Sequence, residues 1–164
     1  MRSYWQTGLF HRLVRRTGAT RPMAKIYAVI QRPLDRVVYR LTRGRTTASS
    51  YLAGVEITML TTIGARTGKP RTLPVLGLPH GENIILIASN FGRSRNPAWY
   101  HNLRANPTAT IVARGHSREV VARELCGSER ERCYRRGEEI FPAFTQYRRW
   151  TPRRHIPVVM LEPR

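Results

Sequence analysis

The sequence predicts an α+β fold in which a mainly antiparallel six-stranded β-barrel carries two to four peripheral helices. Six short runs of β-forming residues follow residue 55, and turn residues separate most of them. Two helical patterns interrupt these runs, one between the third and fourth and one before the last. A length of 164 residues with 41% hydrophobic residues suits one domain with its own core. We expect a helical segment at residues 1–45 and the barrel domain at residues 46–164.

The N-terminal segment combines concentrated basic charge with an amphipathic helical pattern. Asp35 is its single acidic residue, and its basic residues carry more than half of the net charge: Arg2, Arg12, Arg15, Arg16, Arg21, Lys25, Arg32, Arg36, Arg40, Arg43 and Arg45. Apolar residues recur at helical spacings of three and four: Met23, Ile26, Tyr27, Ile30, Leu34, Val37, Val38 and Leu41. Pro33 is expected to kink or divide the helix. Two interpretations stay open, a helix packed on the barrel with its basic face in solvent and a helix at an anionic lipid surface.

The barrel domain follows a small, polar linker at residues 43–50. Its predicted strands are residues 55–62, 72–78, 83–89, 108–114, 118–124 and 156–162. Single glycines in HGEN (80–83) and RGHS (114–117) predict hairpin turns. A short helix is expected within residues 96–107, and a longer one from Ser128 toward Tyr147, because Ser128 and Glu131 have capping-box spacing. The hairpin-like order favours an antiparallel barrel over a parallel α/β sheet.

Charge, cysteines and histidines narrow the classes of function. The net charge of +19 favours anionic partners, although only Lys25 and Lys69 of the 29 basic residues are lysine, a preference that GC-rich coding also produces. No helix-turn-helix, zinc or RNA-recognition pattern appears, so nucleic acid is not expected as a partner. Cys126 and Cys133 are too far apart to bridge, which indicates a reducing compartment. The five histidines are scattered, so no metal site is expected.

Residues 61–74 (TTIGARTGKPRTLP) look like a phosphate-binding loop but fail its requirements. The second glycine comes one residue early, Pro70 replaces the hydroxyl residue, and a strand follows where a helix is needed. These differences exclude a nucleoside triphosphatase. What remains is a glycine-containing turn flanked by Arg66, Lys69 and Arg71, a combination that suits an anion. Taken alone, an exposed hairpin with solvated charges is the simpler interpretation.

A second segment, residues 88–107, offers polar groups directly after a strongly apolar strand. Ser89, Asn90 and the backbone N–H groups around Gly92 lie at its start, where loops commonly contact ligands. Trp99 and Leu103, four residues apart, share one helix face and are packing residues by default.

Four motifs in order make the sequence from about residue 34 to residue 162 resemble the deazaflavin-dependent nitroreductase family. They are Thr-Gly-x-Pro-Arg (67–71), Ala-Ser-x-x-Gly (88–92), Pro-x-Trp-Tyr-x-Asn-Leu-x-Ala-Asn-Pro (97–107) and Ile-Pro-Val-Val (156–159). The resemblance implies a split β-barrel, related to FMN-binding barrels, and coenzyme F420, which carries a phosphate and a polyglutamate tail. At the matching positions it implies anion contacts from Arg66, Thr67, Gly68, Lys69 and Arg71, the deazaflavin ring beside Pro74, the phosphate linker along Ser89, Asn90, Phe91 and Gly92, and Trp99 and Asn102 lining the groove.

The sequence also departs from the family pattern. Asn90 stands where a lysine is common, and Phe91 where a second glycine is common. Residues 141–147 (FPAFTQY) keep only the last hydroxyl of the family's Tyr-Pro-x-Tyr-x-x-Tyr. Phe141, Phe144 and Tyr147 are therefore either an apolar lid over the substrate or plain core packing. Tyr147 is the candidate catalytic proton donor, with water as its substitute.

The resemblance implies an F420-dependent oxidoreductase that transfers a hydride from the reduced deazaflavin to a quinone, a nitroaromatic or an activated alkene. The protein then has to stack and orient this small-molecule substrate and to deliver a proton. The alternative is a related lipid-, fatty-acid- or cofactor-binding protein without reductase activity. A homodimer is compatible with the fold. With no signal peptide or membrane-spanning run recognisable, we expect a cytoplasmic protein, peripheral at the inner face of the cell membrane if the N-terminal helix binds lipid.

Overall fold

A computed structural model of the protein describes residues 20–42, 57–113 and 115–164. Its helices are α1 (Arg21–Leu41), α2 (Ala98–Ala105), α3 (Gly127–Ile140) and α4 (Ala143–Trp150), with a 3-10 turn at Asn90–Gly92. Its strands are β1 (Ile57–Ile63), β2 (Pro70–Leu76), β3 (Leu78–His80), β4 (Asn83–Ile87), β5 (Thr108–Ala113), β6 (His116–Glu124) and β7 (Val158–Pro163). The predicted linker, the predicted domain boundary and the first two residues of the predicted first strand lie outside the described residues.

The seven strands form one sheet in the order β2-β1-β5-β6-β7-β4-β3, and neighbouring strands are antiparallel. This is one strand more than predicted, because the second predicted run divides at Gly77 into β2 and β3. A Cβ atom at Gly77 would lie 2.5 Å from Thr58 Oγ1 and 2.9 Å from Ile84 Cγ2. The chain therefore needs glycine where it passes from one strand to the other.

The sheet curls because its two edge strands are consecutive in the chain. β2 and β3 lie at opposite ends of the strand order, yet Gly77 alone separates Leu76 from Leu78. The two edges of the sheet are therefore brought together, as in a barrel. The expected mainly antiparallel split barrel is confirmed, in the form of a curled seven-stranded half-barrel with peripheral helices.

Two hydrophobic cores lie on opposite faces of β4 and β7, whose residues alternate between them. Inside the curl, Ile84 and Leu86 pair with Leu161 and Val159 and pack with residues of α2: Trp99, Tyr100 and Leu103. Outside it, Ile85 and Ile87 pair with Met160 and Val158 and pack with residues of α3 and α4: Cys133, Tyr134, Ala143, Phe144 and Tyr147. Burial on both faces explains why these strands are continuous apolar runs in the sequence.

The predicted long helix after residue 128 is two helices. α3 ends at Ile140 and α4 begins after Pro142, since proline lacks the N–H that a continuing helix needs. The predicted capping box is wrong: Cys126 precedes α3 and makes no side-chain cap bond, whereas Ser128 lies inside the helix and its Oγ accepts from Arg132 Nη1 at 3.2 Å. Both cysteines are free thiols.

Helix α1 is continuous through Pro33 and lies against β2 and the 3-10 turn. The helix is confirmed, but its orientation differs from the predicted packing. Ala24 and Asp35 are fully buried, and Met23, Tyr27 and Val38 of the apolar stripe are half-buried. The other large apolar side chains of the helix are exposed: Ile26, Val29, Ile30, Leu34, Val37 and Leu41. The helix therefore contacts the barrel along a narrow line and turns most of its larger apolar side chains outward. Among the described residues, no helix is long and apolar enough to cross a membrane.

Candidate functional site

The predicted ligand-binding segments lie at one end of the barrel. β1 and β4 are connected through β5, β6 and β7, and four successive antiparallel pairings make β1 and β4 run in the same direction. The turn after β1 (residues 64–69) and the loop after β4 (residues 88–97) therefore leave the sheet at the same end. Helix α2 continues from that loop into the start of β5, so it lies at this end as well.

The turn between β1 and β2 has a defined hydrogen-bonded shape. Gly64 N–H donates to the Lys69 carbonyl at 2.9 Å, and the N–H groups of Thr67 and Gly68 donate to the Gly64 carbonyl at 3.1 and 2.8 Å. Gly68 has a φ of 63°, in the left-handed region that glycine adopts without strain. A Cβ atom at Gly64 would lie 2.7 Å from Thr67 Oγ1, so this position also requires glycine.

Three cations flank this turn without an ion-pair partner in the part of the chain that the structure describes. Arg66, Lys69 and Arg71 are exposed, and none forms an ion pair with a described residue. The carboxylates of Glu129 and Glu131 pair with arginines elsewhere in the fold. The turn can therefore offer its full positive charge to an anionic ligand.

Asn102 of α2 holds the turn in place. Its Oδ1 accepts the Ala65 N–H at 3.0 Å, and its Nδ2 donates to Thr62 Oγ1 at 3.0 Å. Thr62 is 1% exposed and Asn102 is half-buried, so the second bond is partly buried. Each end of the Asn102 amide thus contributes one hydrogen bond to positioning the turn, and its second N–H and the second lone pair of Oδ1 are left for a ligand. Trp99, on the same helix, is buried in the inner core, in agreement with its default assignment as a packing residue.

Pro74 lies on β2 opposite Met59 of β1 and is half-buried. It is three residues from Arg71 on the same strand, so the two side chains point to opposite faces of the sheet. Helix α1 lies against that strand.

The loop after β4 has an unusual backbone. Asn90, Phe91 and Gly92 have successive φ values of 50°, 56° and 68°, and the first two are the non-glycine residues with positive φ in the described chain. Ser89 precedes them in the right-handed helical region, with φ −66° and ψ −32°. A right-handed residue followed by a left-handed one turns successive N–H groups into one concavity, which binds anions. The N–H groups of Asn90 and Phe91 have no hydrogen-bond partner among the described residues.

Side chains then fix this loop on both sides. Asn90 Nδ2 donates to the Arg95 carbonyl at 2.8 Å. The Phe91 ring meets the Tyr147 ring edge-on, with 6.3 Å between centroids. At Gly92 a Cβ atom would lie 2.7 Å from Trp150 Cε3, so α4 packs directly on the turn.

Arg154 is the residue of this site that the sequence did not reveal. Its guanidinium donates to the carbonyls of Ala88, Ser89 and Arg93, the Ser89 bond being 3.1 Å, and its Nε donates to Asn96 Oδ1 at 3.0 Å. Burial lowers the pKa of Arg154 from its ordinary value. No signal in the sequence distinguishes it from the neighbouring arginines, because its partners are backbone carbonyls of a distant loop.

The aromatic residues of α4 and of the segment before it form one buried cluster. Phe144 and Tyr147 are 4% and 2% exposed, and Phe141 is half-buried beside Phe144, with 5.3 Å between ring centroids. This arrangement agrees with the core-packing interpretation of the three aromatics. Burial raises the pKa of Tyr147 well above its ordinary value, and the nearby Tyr27 of α1 raises it further. The Tyr147 hydroxyl is therefore a weaker acid than a phenol in water.

Comparison with known proteins agrees with this geometry. The family model described as F420H(2)-dependent quinone reductase matches residues 33–163. The Mycobacterium tuberculosis protein Rv3178, whose name assigns it to the F420H(2)-dependent quinone reductases, is 35% identical over 99 residues, which are 60% of this chain and 82% of that protein. The M. tuberculosis F420H(2)-dependent quinone reductase Rv1261c is 38% identical over 79 residues, 48% of this chain and 52% of that protein, so the match spans about half its length.

Solved structures extend the similarity to the fold. An F420-H2 dependent reductase, FDR-A, is 34% identical with a TM-score of 0.60, covering 65% of this chain and 93% of that one. A structure described as a domain-swapped dimer is 31% identical with a TM-score of 0.63, covering 77% and 95%. The match to the family model includes the hairpin turn, the 3-10 turn, α2 and Arg154, and the deazaflavin dependence expected from the four motifs is confirmed. The chain belongs to the F420H(2)-dependent quinone reductase family and is a reductase whose cofactor is coenzyme F420.

Proposed function

We propose that the chain reduces a quinone with F420H2 at the barrel end formed by the β1–β2 turn, the 3-10 turn and α2. The observation that carries this proposal is the set of unpartnered groups at that end. Arg66, Lys69 and Arg71 have no carboxylate partner in the described chain, and the N–H groups of Asn90 and Phe91 have no acceptor there. Such a donor set fits a ligand with a phosphate and an acidic tail.

Each part of the site has a separate task in this proposal. The cations of the β1–β2 turn hold the acidic tail or the phosphate, and Asn102 keeps that turn against α2. Ser89 and the N–H groups that follow it contact the phosphate linker. Pro74 borders the ring along β2. Reduced F420, when bound, supplies the hydride.

The acceptor is a flat, apolar quinone, and nitroaromatics and activated alkenes are accessory substrates. The β2 face beside Pro74 borders α1, and Leu76 of β2 and Phe91 of the 3-10 turn are partly buried apolar residues packed against the same core as Ala24 of α1. Stacking of a planar acceptor beside the cofactor needs an apolar surface of this kind. Relative turnover of menadione, a nitroaromatic and a cyclic enone measures this preference, and faster reduction of either rival class than of menadione contradicts it.

Tyr147→Phe decides where the proton on the reduced acceptor comes from. A positioned general acid contributes about 10²–10⁴-fold to a rate. Tyr147 is buried beneath Phe91 and its pKa is raised, so we expect water to supply the proton and kcat to fall less than about tenfold. A loss of about a hundredfold or more, with the Kd for F420 unchanged, would instead assign the role to Tyr147.

Titration with oxidised and reduced F420, beside flavin mononucleotide, tests the proposed function directly. Fluorescence gives the Kd, and menadione-dependent oxidation of F420H2 gives the turnover. We expect F420 to bind and Arg66→Ala and Arg71→Ala each to weaken it by about tenfold, the equivalent of about 1.4 kcal/mol. Arg136→Ala, an exposed arginine on α3, removes the same charge away from the site and should leave the Kd unchanged. No binding of F420 together with co-purified fatty acid would favour a lipid-binding protein.

We further propose that α1 docks the protein, otherwise cytoplasmic, on an anionic lipid surface at the inner face of the membrane. Val29, Val37 and Leu41 on its outer face are 67%, 53% and 78% exposed, within the most basic part of the sequence. Apolar insertion and basic attraction act together at such a surface. The opposite face of α1 contacts β2 and the 3-10 turn, so docking would present the site to acceptors dissolved in the membrane.

Flotation with phosphatidylglycerol and phosphatidylcholine vesicles tests the docking. Leu34→Ser/Val37→Ser removes two insertions of about 1.5 kcal/mol each, which lowers partitioning about a hundredfold. Val121→Ser, an exposed apolar residue on β6, is the matched control. The similar domain-swapped dimer supports a homodimer for this chain too, which sedimentation equilibrium measures. If the double variant dissociates that dimer and still binds vesicles, the stripe is a protein interface and the lipid proposal is wrong.

A further inference from the structure

The loop after β4 is held by a cation whose partners are backbone carbonyls and the amide oxygen of Asn96. Arg154 precedes β7 and donates to the carbonyls of Ala88, Ser89 and Arg93. It forms no ion pair with a described carboxylate. A half-buried guanidinium bound to carbonyls leaves its charge uncompensated, so the charge acts on the peptide groups around it.

The direction of each peptide group follows from these bonds. In a trans peptide the C=O and the following N–H point in opposite directions. Because Arg154 binds the Ser89 carbonyl, the N–H of Asn90 points away from the guanidinium, and this N–H has no acceptor among the described residues. The cation also polarises the peptide, which makes that N–H a stronger donor.

The same hydrogen bonds hold the strained backbone of the turn in place. Phe91 holds a left-handed conformation that costs about 1–2 kcal/mol for a side chain of this kind, and Asn90, which adopts this conformation more readily, holds it too. Strained backbone persists when the surrounding structure over-determines it. Arg154 binds carbonyls on both sides of the turn, and Asn96 Oδ1 fixes its Nε at 3.0 Å. The guanidinium fork, rather than its charge alone, sets the distance between the two ends of the turn.

We infer that Arg154 is a positioning residue that shapes the Ser89–Phe91 backbone into a binding site for the phosphate of F420. It acts from behind the loop and leaves the outward N–H groups to meet the anion. This inference rests on the proposed function, since it assigns the phosphate to this loop. It also explains how the site keeps positive potential although Asn90 stands where a lysine is common.

The test compares F420 with the deazaflavin ribityl precursor that lacks the phosphate and the acidic tail. Arg154→Met keeps the length of the side chain and removes the fork, and Arg154→Lys keeps the charge and removes the fork. Arg153→Met removes an adjacent exposed arginine that forms no hydrogen bond or ion pair with a described residue. We expect the two Arg154 variants to weaken F420 binding by about thirtyfold and precursor binding by less than about threefold. Arg153→Met should leave both the affinity for F420 and the affinity for the precursor unchanged.

Hydrogen exchange of the cofactor-free protein supplies a second readout. The amide of Gly92 donates to the Ser89 carbonyl and that of Arg93 to the Asn90 carbonyl, so loosening of the turn should speed exchange of both in the Arg154 variants. If Arg154→Met does not fold, Arg154→Lys and Asn96→Ala, which releases Nε, provide the same comparison.

The outcomes separate the two proposals. If the wild-type protein does not bind F420, the proposed function fails and this inference falls with it. If the wild type prefers F420 but the Arg154 variants keep that preference, or lose both ligands equally, then Arg154 serves stability alone and the inference is overturned. Loss of the preference with faster exchange of the two amides supports it.

Discussion

Replacing Asn102 with alanine tests whether α2 shapes the cofactor-binding turn. Asn102 accepts from Ala65 N–H and donates to Thr62 Oγ1, both at 3.0 Å. Losing the exposed bond costs about 0.5–1.5 kcal/mol, and leaving the buried Thr62 hydroxyl without its partner costs about 1–3 kcal/mol. We therefore expect Asn102→Ala to lower the free energy of unfolding by about 2–4 kcal/mol, which is roughly 5–15 °C in Tm for a chain of this size. Urea denaturation followed by tryptophan fluorescence measures the change.

The affinity for F420 should fall together with the stability. A released turn has to be ordered when the ligand binds, and ordering costs about 1–2 kcal/mol per residue. If one residue of the released turn has to be ordered each time the ligand binds, the Kd rises about tenfold. Asn106→Ala is the matched control, because Asn106 Oδ1 accepts the Thr108 N–H at 3.1 Å at the end of the same helix. It should cost about 1 kcal/mol of stability and leave the Kd unchanged.

Asn102→Asp separates geometry from charge. Its carboxylate can accept from both the Ala65 N–H and the Thr62 hydroxyl, so the turn keeps its shape. The added negative charge lies beside Arg66 and Lys69, and F420 should bind more weakly at low salt, with a smaller difference at high salt. An Asn102→Ala protein with the stability and the Kd of the wild type would refute the reasoning, because the turn would then keep its shape without α2.

Three further changes test packing, backbone strain and charge. Gly137→Ala places a methyl group 2.3 Å from Ile87 Cδ1, and overpacking of about 1–3 kcal/mol exceeds the gain of about 1 kcal/mol in helix propensity, so urea denaturation should show a net loss. Phe91→Gly should melt at a higher temperature than Phe91→Ala, since both lose the contact with Tyr147 but only glycine adopts a φ of 56° without strain; the reverse order contradicts the left-handed conformation. Arg148 holds the pKa of Glu131 below its ordinary value of about 4.3. This stability is complete above that value and is lost as the pH falls through the lower folded pKa, so Glu131→Gln should flatten the acid limb of the stability–pH profile.

The strands could be predicted because their signals are local. In β4 residues 84–87 (IILI) are apolar throughout, since Ile84 and Leu86 face the inner core while Ile85 and Ile87 face the outer one. The division of the second strand at Gly77 could not be predicted in this way. It depends on Thr58 and Ile84, which reach Gly77 only when the sheet has curled.

The orientation of α1 shows a second limit of pattern reasoning. Spacings of three and four identified the helix and its apolar stripe, and helix period alone assigns such a stripe to the core. The barrel already covers both faces of β4 with its own helices, so the surface left for α1 lies beside β2 and the 3-10 turn. The helix contacts that surface narrowly, through Ala24, and most of its apolar stripe stays exposed to solvent.

Some residues of the candidate site belong to sequence motifs, and others are recognised only by their contacts in the folded structure. The β1–β2 turn, Asn90 and Asn102 belong to the motifs, so they could be found without coordinates. Arg154 lies in TPRRHIP, among arginines that differ from it in nothing but position. Its role depends on carbonyls more than fifty residues earlier, on both sides of the left-handed residues Asn90 and Phe91.

A net charge of +19 explains little until the partners of each cation are known. Arg123 pairs with Glu129 and Glu162, and Arg148 pairs with Glu131, so these two arginines offer little free charge to an external anion. The β1–β2 turn has no such partners in the described chain, and its attraction for an acidic tail acts through solvent, where salt screens it over about 8–10 Å. The contacts of the 3-10 turn are short N–H bonds that salt affects less. Raising the ionic strength should therefore remove the gain in affinity from a long polyglutamate tail but preserve the gain from the phosphate. This difference in salt dependence distinguishes the β1–β2 turn from the 3-10 turn.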